Sequence, residues 1–177
     1  MKFLIVAIDH GWQYVPYGDE TPESAALKTK YQTLLTKAVA DRGIDLICEE
    51  SDPCRLSIAQ KVAYEHKPRI RWENINMSAQ ERLEAGIWEA LLHRPQHTIE
   101  EPPGSGYLVT IDHRVPEDEI REQFFIAESL EAAECVGSKS ILILCGDMHA
   151  EFVREVLEAR GIHADRNHEL IPVKHWQ

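Results

Sequence analysis

With 177 residues, 44% of them hydrophobic and 28% charged, the chain has the size and composition of one globular domain with its own core. Nineteen Lys and Arg against thirty Asp and Glu leave a formal net charge of -11, and no basic run interrupts that excess. This excludes a general binder of nucleic acid or of anionic membrane, each of which needs a surface that neutralises phosphate.

The first apolar run, Met1–Ile8, meets Asp9-His10 too soon for a signal-peptide core, and no segment is long enough to span a bilayer. Cys48, Cys54, Cys135 and Cys145 show no CxxC spacing, so the expectation is a reduced, soluble, cytoplasmic protein.

In chain order the pattern alternates strand and helix. Lys2–Ile8 has the apolar, β-branched character of a buried parallel strand. After the aromatic loop Gly11–Glu20, Thr21-Pro22-Glu23 starts a helix with a hydroxyl cap, an early Pro and an acid in the first turn; Gly43 ends it. Ile44–Cys48 is the next strand, Asp52-Pro53 opens a helix to about His66, and Arg69–Trp72 is a third strand. Ser78-Ala79-Gln80-Glu81 is a capping box ahead of a helix carrying Leu83, Ile87 and Leu91. His93–Pro116, rich in Pro and Gly, is expected to be a long surface loop acting as a mobile lid, with Tyr107–Ile111 as an edge strand within it. A helix from Glu117 to Val136, a strand at Ile141–Cys145, a Gly146-Asp147 turn and a helix closed by Gly161 follow, with Leu170–Trp176 as a last strand. The fold class expected is α/β, a three-layer sandwich with a mainly parallel central sheet, in a single domain over residues 1–177.

In such sheets the ligand crevice lies beyond the carboxyl ends of the strands. Three strands here end in polar groups: Asp9-His10, Glu49-Glu50 and Asp147-Met148-His149. Two imidazoles and a carboxylate suit a divalent metal with an open position, and equally an acid/base pair. Glu49 and Glu50 must face opposite sides, and sequence leaves open which one enters the site. Asp52 and Asp147 are best taken as helix caps, and Cys145 as a buried, inert thiol. Arg121 is a candidate for binding an oxyanion, its alternative being an exposed helix arginine paired with Glu117 or Glu128. The other histidines receive no role.

Gly146-Asp147-Met148-His149 is a GxxH motif between a strand and a helix, and Ala7-Ile8-Asp9-His10 is a near copy with Ala in place of Gly. With the strand-ending acids between them, this order resembles the TraB/Tiki superfamily, which includes erythromycin-esterase-like and ChaN-like proteins. The resemblance implies an α/β fold, a glutamate beside the two histidines, and an arginine upstream of the second motif, a place Arg121 fills. It also implies, for some members, metal-dependent hydrolysis of amide or ester bonds. The expected function is therefore a metal-dependent hydrolase acting on a small-molecule or peptide substrate. His10, Glu50 and His149 would hold zinc or manganese, Glu49 or Asp9 would take the water's proton, and Arg121 would steady the developing charge. The competing expectation is a non-catalytic module that binds a small ligand or peptide, with Trp12, Tyr14 and Tyr17 as an apolar wall.

Overall fold

The computed structural model describes residues 1–16, 20–100, 104, 106 and 108–166. In chain order they form β1 (Lys2–Ile8), α1 (Pro22–Arg42), β2 (Leu46–Glu49), α2 (Ile58–Glu65), β3 (Arg71–Asn74), α3 (Ala79–Glu84) and α4 (Trp88–Leu92). Then come β4 (Gln96–Glu100), β5 (Leu108–Asp112), α5 (Asp118–Val136), β6 (Ser140–Gly146), α6 (Asp147–Ala159) and β7 (His163–Arg166).

Side-chain parity along the strands builds the layers. On β1, Leu4, Val6 and Ile8 join Tyr31, Leu35, Val39, Ile58 and Val62 of α1 and α2. The alternate residues Phe3, Ile5 and Ala7 join Phe125, Ile126, Val153 and Leu157 of α5 and α6. β6 divides the same way, Leu142 and Leu144 to one side, Ile141 and Ile143 to the other. A strand apolar on both faces can only sit between two helical layers, and the result is the three-layer α/β sandwich. Its central sheet has the order β3-β2-β6-β1-β7, with every pairing parallel. β1 and β6 are neighbours, as a shared site requires, with Ile8 opposite Gly146.

Several local expectations need correction. The helix expected from Asp52 begins only at Ile58, capped by the Ser57 hydroxyl, which accepts from the Gln60 N–H. The residues before it are a turn, closed by Arg55 N–H on the Asp52 carbonyl, and then a short pairing of Leu56 and Ser57 with the loop after β1. Val15 donates to the Leu56 carbonyl, Ile58 to that of Gln13, and Tyr14 bridges Ser57. Asp52 instead closes a turn by accepting from Cys54 N–H. The third strand lies at Arg71–Asn74, two residues later than expected, with Trp72 opposite Ile47. The Ser78 capping box forms, but Gly86 takes a left-handed conformation, φ 71°, and splits the expected single helix into α3 and α4.

The stretch expected to be a mobile loop with one edge strand contains an antiparallel hairpin, β4–β5, whose second strand meets that expectation, with Gln96 opposite Asp112 and Glu100 opposite Leu108. Tyr107 and the strand expected at Leu170–Trp176 lie outside the described residues, while β7, unannounced by the pattern, pairs with β1. All four cysteines are free, Cys48 and Cys145 being buried. Among the described residues no helix is long and apolar enough to cross a membrane.

Ile143 sits at the middle of β6 with no exposed surface. Ile143→Ala should lower the unfolding free energy by about 2–5 kcal/mol. In urea this appears as an earlier midpoint with an unchanged slope.

Candidate active site

Parity also separates the two glutamates. Leu46 and Cys48 enter the α5–α6 core and Ile47 the opposite one, so past the strand end Glu50 turns to α5 and α6, and Glu49 to α1 and α2. Both are buried. Glu50 accepts from Arg121 Nη2 at 2.6 Å and from the Gly146 N–H at 2.9 Å, and its Oε2 lies 3.8 Å from His10 Nε2. Burial opposes its ionisation, but His149, Arg121, His10 and the Gly146 N–H outweigh burial and hold the carboxyl below its ordinary range.

Gly146, the first residue of the GxxH motif, is the point where these groups meet. A Cβ placed there would stand 3.3 Å from His10 Nε2, 3.6 Å from His149 Cδ2 and 3.7 Å from Glu50 Oε2. The His10 distance is tighter than ordinary contact and the other two are van der Waals contacts, so a side chain here would press on the His10 ring. Asp147, expected as a helix cap, makes no cap bond; its carboxylate pairs with Arg166 at 2.7 Å.

His149 is buried in the first turn of α6, edge-on to Phe125. Its Nδ1 faces Glu122 Oε1 at 2.9 Å, so it carries the hydrogen and donates, and Nε2 is left to accept from Arg121 Nη1 at 3.4 Å. Arg121 therefore spans Glu50 and His149, with Asp118 at 3.6 Å. It is not the exposed arginine of the alternative expectation, and neither Glu117 nor Glu128 is its partner. Asp118 and Glu122 are themselves held from outside, by Arg94 at 2.8 Å and Arg114 at 2.5 Å. A further guanidinium, Arg82, is fixed by the Met77 carbonyl and the Asn76 side chain; burial and the neighbouring Arg121 charge lower its pKa.

On the other side of the sheet, Glu49 accepts from Ser57 Oγ at 2.5 Å, Trp72 Nε1 at 2.7 Å and Gln13 Nε2 at 3.0 Å. Gln13 Nε2 also donates to the Glu50 carbonyl, which commits the amide nitrogen and turns Oε1 toward His10 Nδ1, 2.8 Å away. His10 Nδ1 must then be the protonated nitrogen, leaving the Nε2 lone pair facing the Gly146 notch beside Glu50. Burial raises Glu49 to about 7, against the pull of its three donors and of His10.

Of the expected residues, His10, Glu50, Arg121 and His149 come together. Among the described residues, Glu49 is hydrogen-bonded to this group through Gln13. Asp9 is exposed and closes a local turn by accepting from the Gly11 N–H. Tyr14 is buried, its hydroxyl accepting from the Asp52 N–H, so it forms no open ligand wall; Tyr17 lies outside the described residues. Cys145 is a core thiol whose pKa burial pushes well up. Gln13, Asp118 and Glu122 were not anticipated. The signal for the last two was present: Asp118, Arg121, Glu122 and Phe125 fall at helical spacing on one face, a charged extension of the buried stripe.

As the side chains stand, the expected ligands do not fit a resident divalent metal. Both Glu50 oxygens and both His149 nitrogens face partners, and the Arg121 guanidinium bridges the two residues. Of the two imidazoles, His10 alone presents a nitrogen lone pair without a hydrogen-bond donor. Among the described residues no group of three or more His, Cys, Asp or Glu side chains is disposed to hold a metal ion. No protein-family model matches the chain, and no curated protein or solved structure is significantly similar to it.

Arg121→Leu removes the cation that compensates Glu50, and should cost about 3–5 kcal/mol of stability, measured by chemical denaturation. Glu49 gives a pH dependence of definite sign. Because its folded value near 7 exceeds the ordinary 4.5, the folded state holds the proton more tightly. The stability from this group is complete below pH 4.5 and declines as pH rises to 7, by at most about 3 kcal/mol. Glu49→Gln should flatten unfolding free energy against pH across that window.

Proposed function

We propose that the chain is a hydrolase of amide or ester bonds whose attacking water is activated by His10 without a resident metal. The observation that carries this reading is the chain His10–Gln13–Glu49, which fixes the imidazole tautomer so that its Nε2 lone pair faces the notch at Gly146. His10 is the one member of the cluster with a solvent-accessible ring, its side chain being 52% exposed, so substrate and water can reach it.

In the proposed reaction His10 Nε2 takes a proton from water as the water oxygen bonds to the carbonyl carbon. Glu50, 3.8 Å away, stabilises the imidazolium formed. Arg121 and the first N–H groups of α6 favour the negative charge on the carbonyl oxygen. When the carbon–leaving group bond breaks, the imidazolium proton passes to the departing oxygen or nitrogen, giving a carboxylic acid and an alcohol or amine. Gln13 and Glu49 are positioning residues in this scheme, acting through His10. The resemblance to the TraB/Tiki superfamily supports the bond class, while the metal expected from it would require Arg121 to leave both Glu50 and His149.

The test is hydrolysis of a panel of chromogenic esters and dye-labelled amides by metal-free protein. His10→Ala should lower kcat/KM by at least about 100-fold, and Gln13→Leu should lower kcat, with fold retained in both. Activity that is lost to chelator and restored by zinc or manganese would favour the metal-assisted hydrolase instead. Saturable binding without turnover would favour the binding module.

A further inference from the structure

The β4–β5 hairpin is attached to the body at its base. Arg94, two residues before β4, reaches Asp118 at 2.8 Å and Met148 Sδ at 3.5 Å. Arg114, two residues after β5, holds Glu122 and lies over the Phe152 ring, 4.9 Å from its centre. Just above these fastenings the ladder continues from Gln96 opposite Asp112 to a bond from His113 N–H to the Pro95 carbonyl. His97 is opposite Ile111, so His113 is its diagonal neighbour on the same face of the ribbon. Both imidazoles are exposed. Nδ1 of His97 stands 2.7 Å from Nε2 of His113, and the ring centres are 4.6 Å apart.

Two exposed histidines at this separation must share one hydrogen, because two protonated rings would repel. The same two nitrogens can share a metal ion in place of the proton. With ligand distances of about 2.0–2.1 Å at a tetrahedral angle the nitrogens stand about 3.3 Å apart, so they part by roughly half an ångström and the rings turn until both lone pairs meet at the ion, off the line between them. Cross-strand pairing has already fixed the two side chains beside each other, so little ordering is left for binding to impose. Neutral imidazole selects zinc, copper or nickel over magnesium and calcium, which prefer oxygen.

We propose that His97 and His113 form a binding site for one transition-metal ion at the base of the hairpin, water completing its coordination. The site is separate from the His10–His149 cluster and does not depend on the proposed hydrolase activity. The ion would cross-link the two strands next to Arg94 and Arg114, whose carboxylate partners position Arg121 and His149. Its occupancy would therefore tighten the part of the chain that holds the buried cluster in place.

The test is titration of metal-free, full-length protein with zinc chloride, followed by calorimetry and by the imidazole nitrogen resonances. The expected result is uptake of one ion per chain, with the His97 and His113 rings shifting together and magnesium chloride giving no response. His97→Ala and His113→Ala should each weaken binding at least about tenfold, and His97→Gln should do the same. Since both side chains are exposed, the variants should keep the wild-type spectrum away from the hairpin. His149→Ala should leave zinc uptake at the hairpin unchanged. Zinc that shifts the His10 and His149 rings but not His97 and His113, or binding that survives His97→Ala/His113→Ala, overturns the proposal.

Discussion

A carboxylate taken out of water must be compensated, and Glu50 imposes that requirement on the rest of the site. It is buried at the end of a central strand, where an unpartnered charge would cost several kcal/mol. Arg121 supplies the cation, but a buried arginine then needs its own surroundings. Asp118 and His149 flank it, Glu122 orients His149, and Arg94 and Arg114 neutralise Asp118 and Glu122 in turn. Glu50, Asp118 and Glu122 stand against Arg94, Arg114 and Arg121, three charges of each sign. A network of this kind is weak support for stability, since desolvating its ions offsets much of their attraction. Its effect here is on position: it fixes the turn of α5, the first turn of α6 and both ends of the hairpin relative to one strand end.

The Glu49–Glu50 pair shows how one peptide bond can separate two chemistries. Glu50 meets cations and a backbone N–H and stays ionised. Glu49, on the far side of the sheet, meets neutral donors, and burial brings its titration close to neutrality. His10 lies within reach of both, directly on the Glu50 side and through Gln13 on the Glu49 side. The imidazole is thus oriented by one acid and electrostatically biased by the other.

Much of the architecture was legible in the chain. The apolar runs Lys2–Ile8 and Ile141–Cys145 have no polar alternation, which only a doubly covered parallel strand satisfies, and the strand-end rule then placed His10, the Glu49–Glu50 pair and His149 at one rim. What could not be read depended on tertiary partners. The spacing of Arg121 with Phe125 puts it on the buried face of α5, but the partner that makes burial possible could not be read, because that carboxylate is 71 residues away. The helix expected at Asp52 gave way to Ser57 because a turn follows Asp52 and the loop after β1 then pairs with Leu56 and Ser57. Of the hairpin, β5 was expected as an edge strand, while β4 was hidden because Gln96–Glu100 lacks the apolar alternation of a half-buried strand. Gln13 was invisible as a functional residue, since an amide acquires a role only when its two ends have partners.

The neutrality of the buried network also bears on how molecules arrive. Its six ions cancel, so the chain's net charge of -11 is carried elsewhere, for the most part on the outer surface. Under the proposed function, an anionic substrate would be repelled on approach and would feel Arg121 only at contact range, within a Debye length of about 8 Å at physiological ionic strength. Salt therefore accelerates the encounter with an anion and slows that with a cation. The rate of any such encounter is thus set by the acidic exterior and not by the buried arginine.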